Sequence, residues 1–478
     1  LPTLSKFLYN LLFILGNILF PVVTFSYAAR VLGPEGIGKV QVVLSFAQYF
    51  VLVAALGIPV YGMREVAKVA GDTEKLSKLF SGMMLINLTA TLILGAFYFI
   101  LISVVGWFQP EIKLFYIGGA IILTGFLSVE WFYTGGEFFR QMSLRSVVVK
   151  SLSLAALFLF VRTAENLLIY LLINALAILT ANLWNLMSLP VKIRLRLRDL
   201  DLRKHRSGLS ILFAITLTIS LYAVADTLVL RFLSDNEAVG YYTAAIRINK
   251  IMIPVIASLG VVLIPKITRS LASGDGSELK NLVEHSFAYI CLLAVPLSAG
   301  LLIFAPEIMV VFSGSGFTDA IPAMQITSAL ALIIGFGHLF ALQILIPGGH
   351  ERKYLYATLC GVAISLIINL LLTPLFQEKG AAVAIIFAEL AVTTLSFYYV
   401  KELHGLNFNW ILVLKSMVSC LVFIPVAIGL RDLISESWIR LIIAVVASAG
   451  LYFLIQITIF REKQVREVAS LLVNNWLR

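Results

Sequence analysis

Long apolar runs separated by short polar breaks organise this chain. They fall near residues 7–31, 39–63, 79–106, 112–134, 144–163, 166–190, 208–233, 239–265, 283–312, 320–347, 354–376, 380–400, 410–430 and 437–460. Each approaches or exceeds the ~20 apolar residues that a helix needs to cross hydrocarbon. The pattern predicts an all-α polytopic membrane protein of about fourteen transmembrane helices. Runs 144–163 and 166–190 are divided only by "RTAEN". Residues 7–29 lack a small-residue cleavage site after a short core, so the first run reads as a retained span.

Composition agrees. Of 478 residues, 60% are hydrophobic and 13% charged, about half the charged fraction of a soluble domain. The loops are too short to hold an extramembrane catalytic domain. This argues against membrane-bound sugar polymerases and ligases, which work through a large outer loop. No Walker, HExxH, GxSxG or DxD pattern is present. Cys291, Cys360 and Cys420 are isolated within apolar runs and read as packing residues, with no metal spacing. The reading is therefore no enzyme, no metal and no bound cofactor, with H+ or Na+ as a possible coupling ion.

Charge placement gives orientation. Of the 36 Lys and Arg residues, 25 fall in one alternating set of loops, 8 in the other and 3 inside spans. The positive-inside rule then predicts both termini on the cytoplasmic side. The most basic stretch, "KIRLRLRDLDLRKHR" at 192–206, reads as an inner linker between two halves.

An internal repeat supports the halves. "ARVLGPEGIGKVQ" at 29–41 and "LRFLSDNEAVGYYT" at 230–243 align Arg30 with Arg231, Glu35 with Glu237 and Gly38 with Gly240. "ALGIP" at 55–59 is echoed by "SLGVVLIP" at 258–265. The offset of about 200 residues equals six spans, an even number, so the copies share one orientation. Parallel repeats of this kind belong to transporters that rock two halves around a central site. The predicted layout is an N-terminal lobe 1–206 (helices 1–6, with linker 191–206), a C-terminal lobe 207–404 (helices 7–12), and accessory helices 13–14 with a cytoplasmic tail over 405–478. The two lobes would surround a central cavity.

Charge inside a span marks candidate chemistry. Arg247 and Lys250, in "YYTAAIRINKIM", lie roughly 10 and 15 Å past Gly240 at 1.5 Å per residue. Their i, i+3 spacing puts them on one face. A mid-bilayer cation costs on the order of 3 kcal/mol, so it normally faces a wet cavity. The pair reads as an anion site. Asp226, in the seventh span, is its counter-ion or a coupling site. Lys415 and His338 also sit in apolar runs, as secondary candidates. The first-lobe copy has Ser45 and Gln48 near the places of the two cations.

Three stretches carry a family resemblance. "FPVVTFSYAARVLGPEGIGKVQVVLSFAQYFVLVAALGIPVYGMREVAK", 20–68, is similar to the opening of prokaryotic polysaccharide flippases, the Wzx type of the multidrug/oligosaccharidyl-lipid/polysaccharide exporter superfamily. "EWFYTGGEFFRQMS", 130–143, beginning at Glu130, resembles the family's WFFQGxExF segment, with Thr134 where Gln is usual. "VGYYTAAIRI", 239–248, matches the opening of the eighth span. The resemblance covers the order of spans over most of the chain. It implies a V-shaped bundle of twelve core helices in a bacterial or archaeal cytoplasmic membrane. Helices 1, 2, 7 and 8 would line a cationic cavity.

The implied substrate is an undecaprenyl-pyrophosphate-linked oligosaccharide moved to the outer leaflet, for O-antigen, capsule or another polysaccharide. Arg247, Arg30 and Arg64 match cationic positions of the family, and Lys250 and Asp226 join them. Arg231 and Glu130 are secondary candidates. Membrane lipids are implied partners, with the polymerase and glycosyltransferases of the pathway; nucleic acid is not. Rival readings are a peptidoglycan-precursor flippase, an ion-coupled multidrug exporter of the same superfamily, and a non-transporting scaffold of a glycan-assembly complex.

Overall fold

A computed structural model of the chain describes residues 2–69, 71–195, 200, 202–274, 276–406 and 408–462. Arg196 and Arg198 of the basic linker, and Lys463, Arg466 and Arg478 of the predicted tail, lie outside them. The described residues form helices and no strand. They divide into two compact units, Leu1–Gly240 and Tyr241–Arg478.

The first unit holds α1 (Pro2–Ala55), α2 (Ile58–Lys68), α3 (Thr73–Val104), α4 (Ile112–Leu123), α5 (Glu130–Gly135), α6 (Phe139–Phe160), α7 (Leu167–Met187) and α8 (Arg206–Leu233), then the first residues of α9 (Asn236–Ser273). The rest of α9 opens the second unit. There follow α10 (Gly276–Ile303), α11 (Ala305–Ser313), α12 (Ile321–Thr327), α13 (Leu330–Gly337) and a π-helix over His338–Leu345. The last elements are α14 (Glu351–His404), α15 (Trp410–Cys420), α16 (Phe423–Leu433) and α17 (Ser437–Thr458).

Among the described residues, 10 helical stretches are long and apolar enough to cross a membrane, or 11 with the bent α9. Two of them hold more than one span. Helices α1 and α14 run 54 residues each, about 80 Å at 1.5 Å per residue, against a hydrocarbon core of about 30 Å. Each is interrupted. Gly33 (φ 69, ψ 178) breaks α1 just before Pro34, a conformation open only to glycine. Gln377 (φ 51, ψ −124) breaks α14. With α8, these elements account for all fourteen predicted runs.

Gln377 carries a side chain where glycine fits better, which stores on the order of 1 kcal/mol of strain. Gln377→Gly is expected to raise the thermal midpoint in detergent by about 2 °C. An unchanged or lower midpoint would mean the turn is relaxed.

The aromatic part of the family-like segment 130–143 belongs to the core. Trp131, Phe132 and Tyr133 are buried. A Cβ on Gly62 would meet Trp131 Cε3 at 2.6 Å, and one on Gly135 would meet the Met63 carbonyl oxygen at 2.5 Å. These small residues let α2 and α5 pack backbone-close. Tyr133 Oη makes a shared donation to the carbonyls of Asn185 and Ser188, 2.7 Å each, anchoring the end of α7.

In one place the structure departs from the predicted runs. Helix α6 begins at Phe139 and lies within a span over Arg140–Phe160. Arg145 and Lys150 are two of the 25 cations assigned to loops, although run 144–163 contains them, and both lie on this spanning helix. Hydropathy alone places a boundary poorly when cations interrupt an apolar helix, because it does not see what neutralises them.

In the second unit, α15–α17 pack on α10 and α11 through Val295, Phe304, Cys420, Phe423, Ala427, Ala444 and Tyr452. Cys291 and Cys420 are buried and Cys360 is half-buried, all as free thiols. A carboxylate clamp adds to this packing. Glu307, 3% exposed, takes Arg431 Nε at 2.7 Å on Oε1 and Arg431 Nη2 at 3.1 Å on Oε2, with Arg440 Nη1 at 3.4 Å from Oε1. Burial alone would raise the Glu307 carboxyl; the Arg431 and Arg440 hydrogen bonds outweigh it and hold the group below the usual carboxylate value.

Candidate functional site

Each candidate residue is best placed within its own unit. In the first, Arg30 is exposed in the turn before the Gly33 break, and its Nη1 donates to the Ser26 carbonyl at 3.1 Å. Arg64 stands on α2 with a side chain 62% exposed, its Nε 3.8 Å from Glu65 Oε1. Such a loose, solvated pair contributes little to stability and leaves the guanidinium available to a ligand. Asp226 is buried in α8 and interacts electrostatically with Tyr49 of α1.

Arg231, the repeat counterpart of Arg30, is differently engaged. Its guanidinium lies 5.1 Å over the Trp107 ring, and Nη1 is 3.5 Å from the Ser234 carbonyl oxygen. Trp107 in turn stacks on Phe232, with centroids 4.6 Å apart. Arg231 thus pins the turn between α3 and α4 to the end of α8. Glu130 is exposed at the first position of α5 and interacts with Lys150 of α6. Arg145, 6% exposed, stacks its guanidinium 4.8 Å from the Tyr133 centroid. Lys150 and Arg145 are the intramembrane cations that the sequence reading missed. Both fall near the start of the apolar run 144–163, where cations are ordinarily assigned to the adjoining loop.

Helix α9 shows two faces in the second unit. Tyr242, Ala245, Ile246, Asn249 and Ile256 are buried. Asn249 Nδ2 donates to Thr327 Oγ1 at 2.8 Å, which fixes α9 on α12. On the other side, Arg247 is half-buried and Lys250, Pro254 and Ser258 are exposed. Positions 247, 250, 254 and 258 recur at helical spacing and form one strip. Thr243, one turn before Arg247, is 6% exposed and its Oγ1 has no hydrogen-bond partner. A buried hydroxyl without a partner is uncommon. Here it adds a donor beside two cations. The counterpart positions on α1 differ: Ser45 is buried and accepts from Gln41 Nε2 at 3.1 Å, while Gln48 is exposed.

The other two candidates are held by the fold. Lys415 Nζ is 2.6 Å from Glu462 Oε1, with side chains 34% and 14% exposed. His338 is half-buried at the start of the π-helix. That π-helix brings Gln343 against Gly260 of α9, where a Cβ would lie 2.2 Å from Gln343 Nε2. Ser286 donates to Gln343 Oε1 at 2.7 Å. Among the described residues, no group of three or more His, Cys, Asp or Glu side chains could hold a metal.

Relatives agree with this architecture. A protein of Escherichia coli (strain K12) named "Putative O-antigen transporter" is 23% identical over 391 residues, 81% of this chain and 94% of that protein. One of Haloferax volcanii named "Probable low-salt glycan biosynthesis flippase Agl15" is 26% identical over 231 residues, 47% of this chain and 48% of that one. Among solved structures, "Lipid II flippase MurJ, inward closed conformation" superposes with a TM-score of 0.72 at 16% identity, covering 95% of this chain and 99% of the other. An inward-facing multidrug resistance MATE transporter of the MOP superfamily gives 0.65 at 16%, over 81% and 94%. These likenesses are of fold. Residues 3–271, more than half of the chain, match the family described as polysaccharide biosynthesis protein, and the chain belongs to that family.

Proposed function

We propose that this protein is a flippase that carries an undecaprenyl-pyrophosphate-linked oligosaccharide across the cytoplasmic membrane by alternating access. One observation carries the reading: the strip of α9 that pairs Arg247 with Lys250, on the side turned away from the packed face. Two cations on a spanning helix suit a dianionic headgroup. Arg offers a planar fork to phosphate oxygens and Lys a point charge. Thr243 supplies a further donor from the same side. The polyprenyl tail stays in lipid while the polar headgroup and sugars cross through protein. Membership of the polysaccharide biosynthesis family and relatives named as O-antigen transporter and glycan flippase support the substrate class.

In the first unit, Arg30 and Arg64 are cations suited to the same class of ligand, and Asp226 is a counter-ion or the place where a coupling H+ or Na+ acts. Both termini lie on the cytoplasmic side in this reading. Glycosyltransferases that build the lipid-linked unit precede the protein in its pathway, and a polymerase consumes what it delivers.

Reconstitution tests the reading. Proteoliposomes receive a fluorescent polyprenyl-pyrophosphate oligosaccharide, and its arrival in the far leaflet is followed by quenching. Translocation above protein-free vesicles is expected, with free pyrophosphate competing. Transport of an organic cation in its place would sink the assignment in favour of a drug exporter. Selective transport of a peptidoglycan precursor would redirect it within the flippases.

A further inference from the structure

Residues 34–38 and 236–240 are the counterpart turns of the internal repeat, and both lie in the first unit. They meet reciprocally. A Cβ on Gly38 would fall 1.6 Å from the Asn236 carbonyl oxygen and 3.0 Å from the Gly240 nitrogen. A Cβ on Gly240 would fall 2.0 Å from the Pro34 carbonyl oxygen. Each glycine abuts the residue four places before the other, as a two-fold crossing requires. No side chain fits, so each glycine turns a Cα hydrogen toward a carbonyl oxygen, a weak Cα–H···O contact. The contact is backbone on backbone and cannot be relieved by a rotamer change.

Side chains around it are tied on either side. Glu35 pairs with Lys39 at 3.0 Å, and Lys39 with Glu111 at 2.8 Å. Asp235 Oδ1 caps α9 by accepting from the Ala238 nitrogen at 2.8 Å. Val239 and Ile37 are buried beside the glycines. The crossing itself is a close fit of backbone on backbone. Its Cα–H···O contacts are individually weak, so the glycines close snugly and each contact parts at low cost.

We propose that the Gly38–Gly240 crossing is a closing contact of the transport cycle: the two repeat turns lie together in this state and part in another. The proposal rests on the flippase reading, and adds the residues that set the balance between states. A methyl group on either glycine cannot be housed in the closed state but is free in the parted one. Gly38→Ala and Gly240→Ala thus act as wedges.

Spin labels on cysteines at exposed Glu35 and Glu237, with Cys291, Cys360 and Cys420 replaced by alanine, report the crossing by pulsed dipolar spectroscopy. With glycine at 38 and 240, a short distance is expected at rest, and a second, longer population when the lipid-linked oligosaccharide is added. The alanine variants should populate the longer distance without substrate and translocate at least tenfold more slowly. Gly106→Ala, whose Cβ would meet nothing within 4 Å, should match wild type. If the alanine variants do not fold, the wild-type distances alone decide. A wild-type protein that translocates while keeping one short distance overturns the proposal and leaves the flippase reading intact. A wild-type protein that does not translocate the lipid overturns that reading instead.

Discussion

Replacing Arg247 and Lys250 together by alanine is expected to slow translocation of the lipid-linked oligosaccharide by at least a hundredfold. Hydrogen bonds to charged groups are worth about 1.5–3 kcal/mol each, so two lost phosphate contacts amount to ~3–6 kcal/mol, or a factor of about 10² to 10⁴. The fold should survive. Helix α9 is held by Asn249 on Thr327 and by the buried face around Ala245 and Ile246, none of which involves the two cations. Insertion, helicity and the elution profile should therefore match wild type. Arg247→Lys should fall between, because it keeps the charge and loses the fork. A double variant that translocates at more than a tenth of the wild-type rate would remove the pair from the headgroup site. A double variant that neither inserts nor folds would mark the pair as structural, whereas a scaffold of a glycan-assembly complex would tolerate the replacement.

The second large effect concerns stability. Arg431→Ala with Arg440→Ala leaves the Glu307 carboxylate 3% exposed and without its partners. Breaking a buried pair in this way costs about 3–5 kcal/mol. The thermal midpoint in detergent should drop by several degrees, with loss first of the packing between α15–α17 and α11. Adding Glu307→Gln to the double variant should restore part of the loss, because a neutral amide is far cheaper to bury than a lone charge. No rescue would show that packing alone docks these helices. The pH dependence has a definite sign. The folded-state carboxyl lies below its ordinary value of 4.5, so the clamp is fully present above that value. It is lost as the pH falls through the lower folded-state value. Wild type should therefore soften in acid more than the triple variant does.

Much of the fold could be read from hydropathy, because a bilayer demands long apolar helices and little else does. The Gly33–Pro34 break was readable too, since no other pair of residues stops a helix so plainly. Gln377 was not: nothing in "LFQEKG" separates two spans except the polar residues themselves, and the left-handed turn falls on a side chain that resists it. Arg247 and Lys250 announced themselves because charge in an apolar run is costly. Arg145 and Lys150 did not, since they lie near a boundary where cations are ordinary. Arg431 and Arg440 were counted as loop charges. Their shared acid is 124 residues away from one and 133 from the other, and no local pattern couples positions so far apart. Arg30 and Arg231 align in sequence, yet one is exposed in its turn and the other lies over Trp107. A repeat conserves the path of the backbone more faithfully than the work of each side chain.

The Glu307 clamp also imposes a timetable. Glu307 is synthesised 124 residues before Arg431. At about 5–20 residues per second, that is roughly 6–25 s during which a carboxylate bound for burial has no arginine. Until then it must stay hydrated or protonated, so α11 cannot settle into its final position while α14 is being threaded. The second unit is thereby completed from its far end, and a chain interrupted before α16 would carry an acid with nowhere to go.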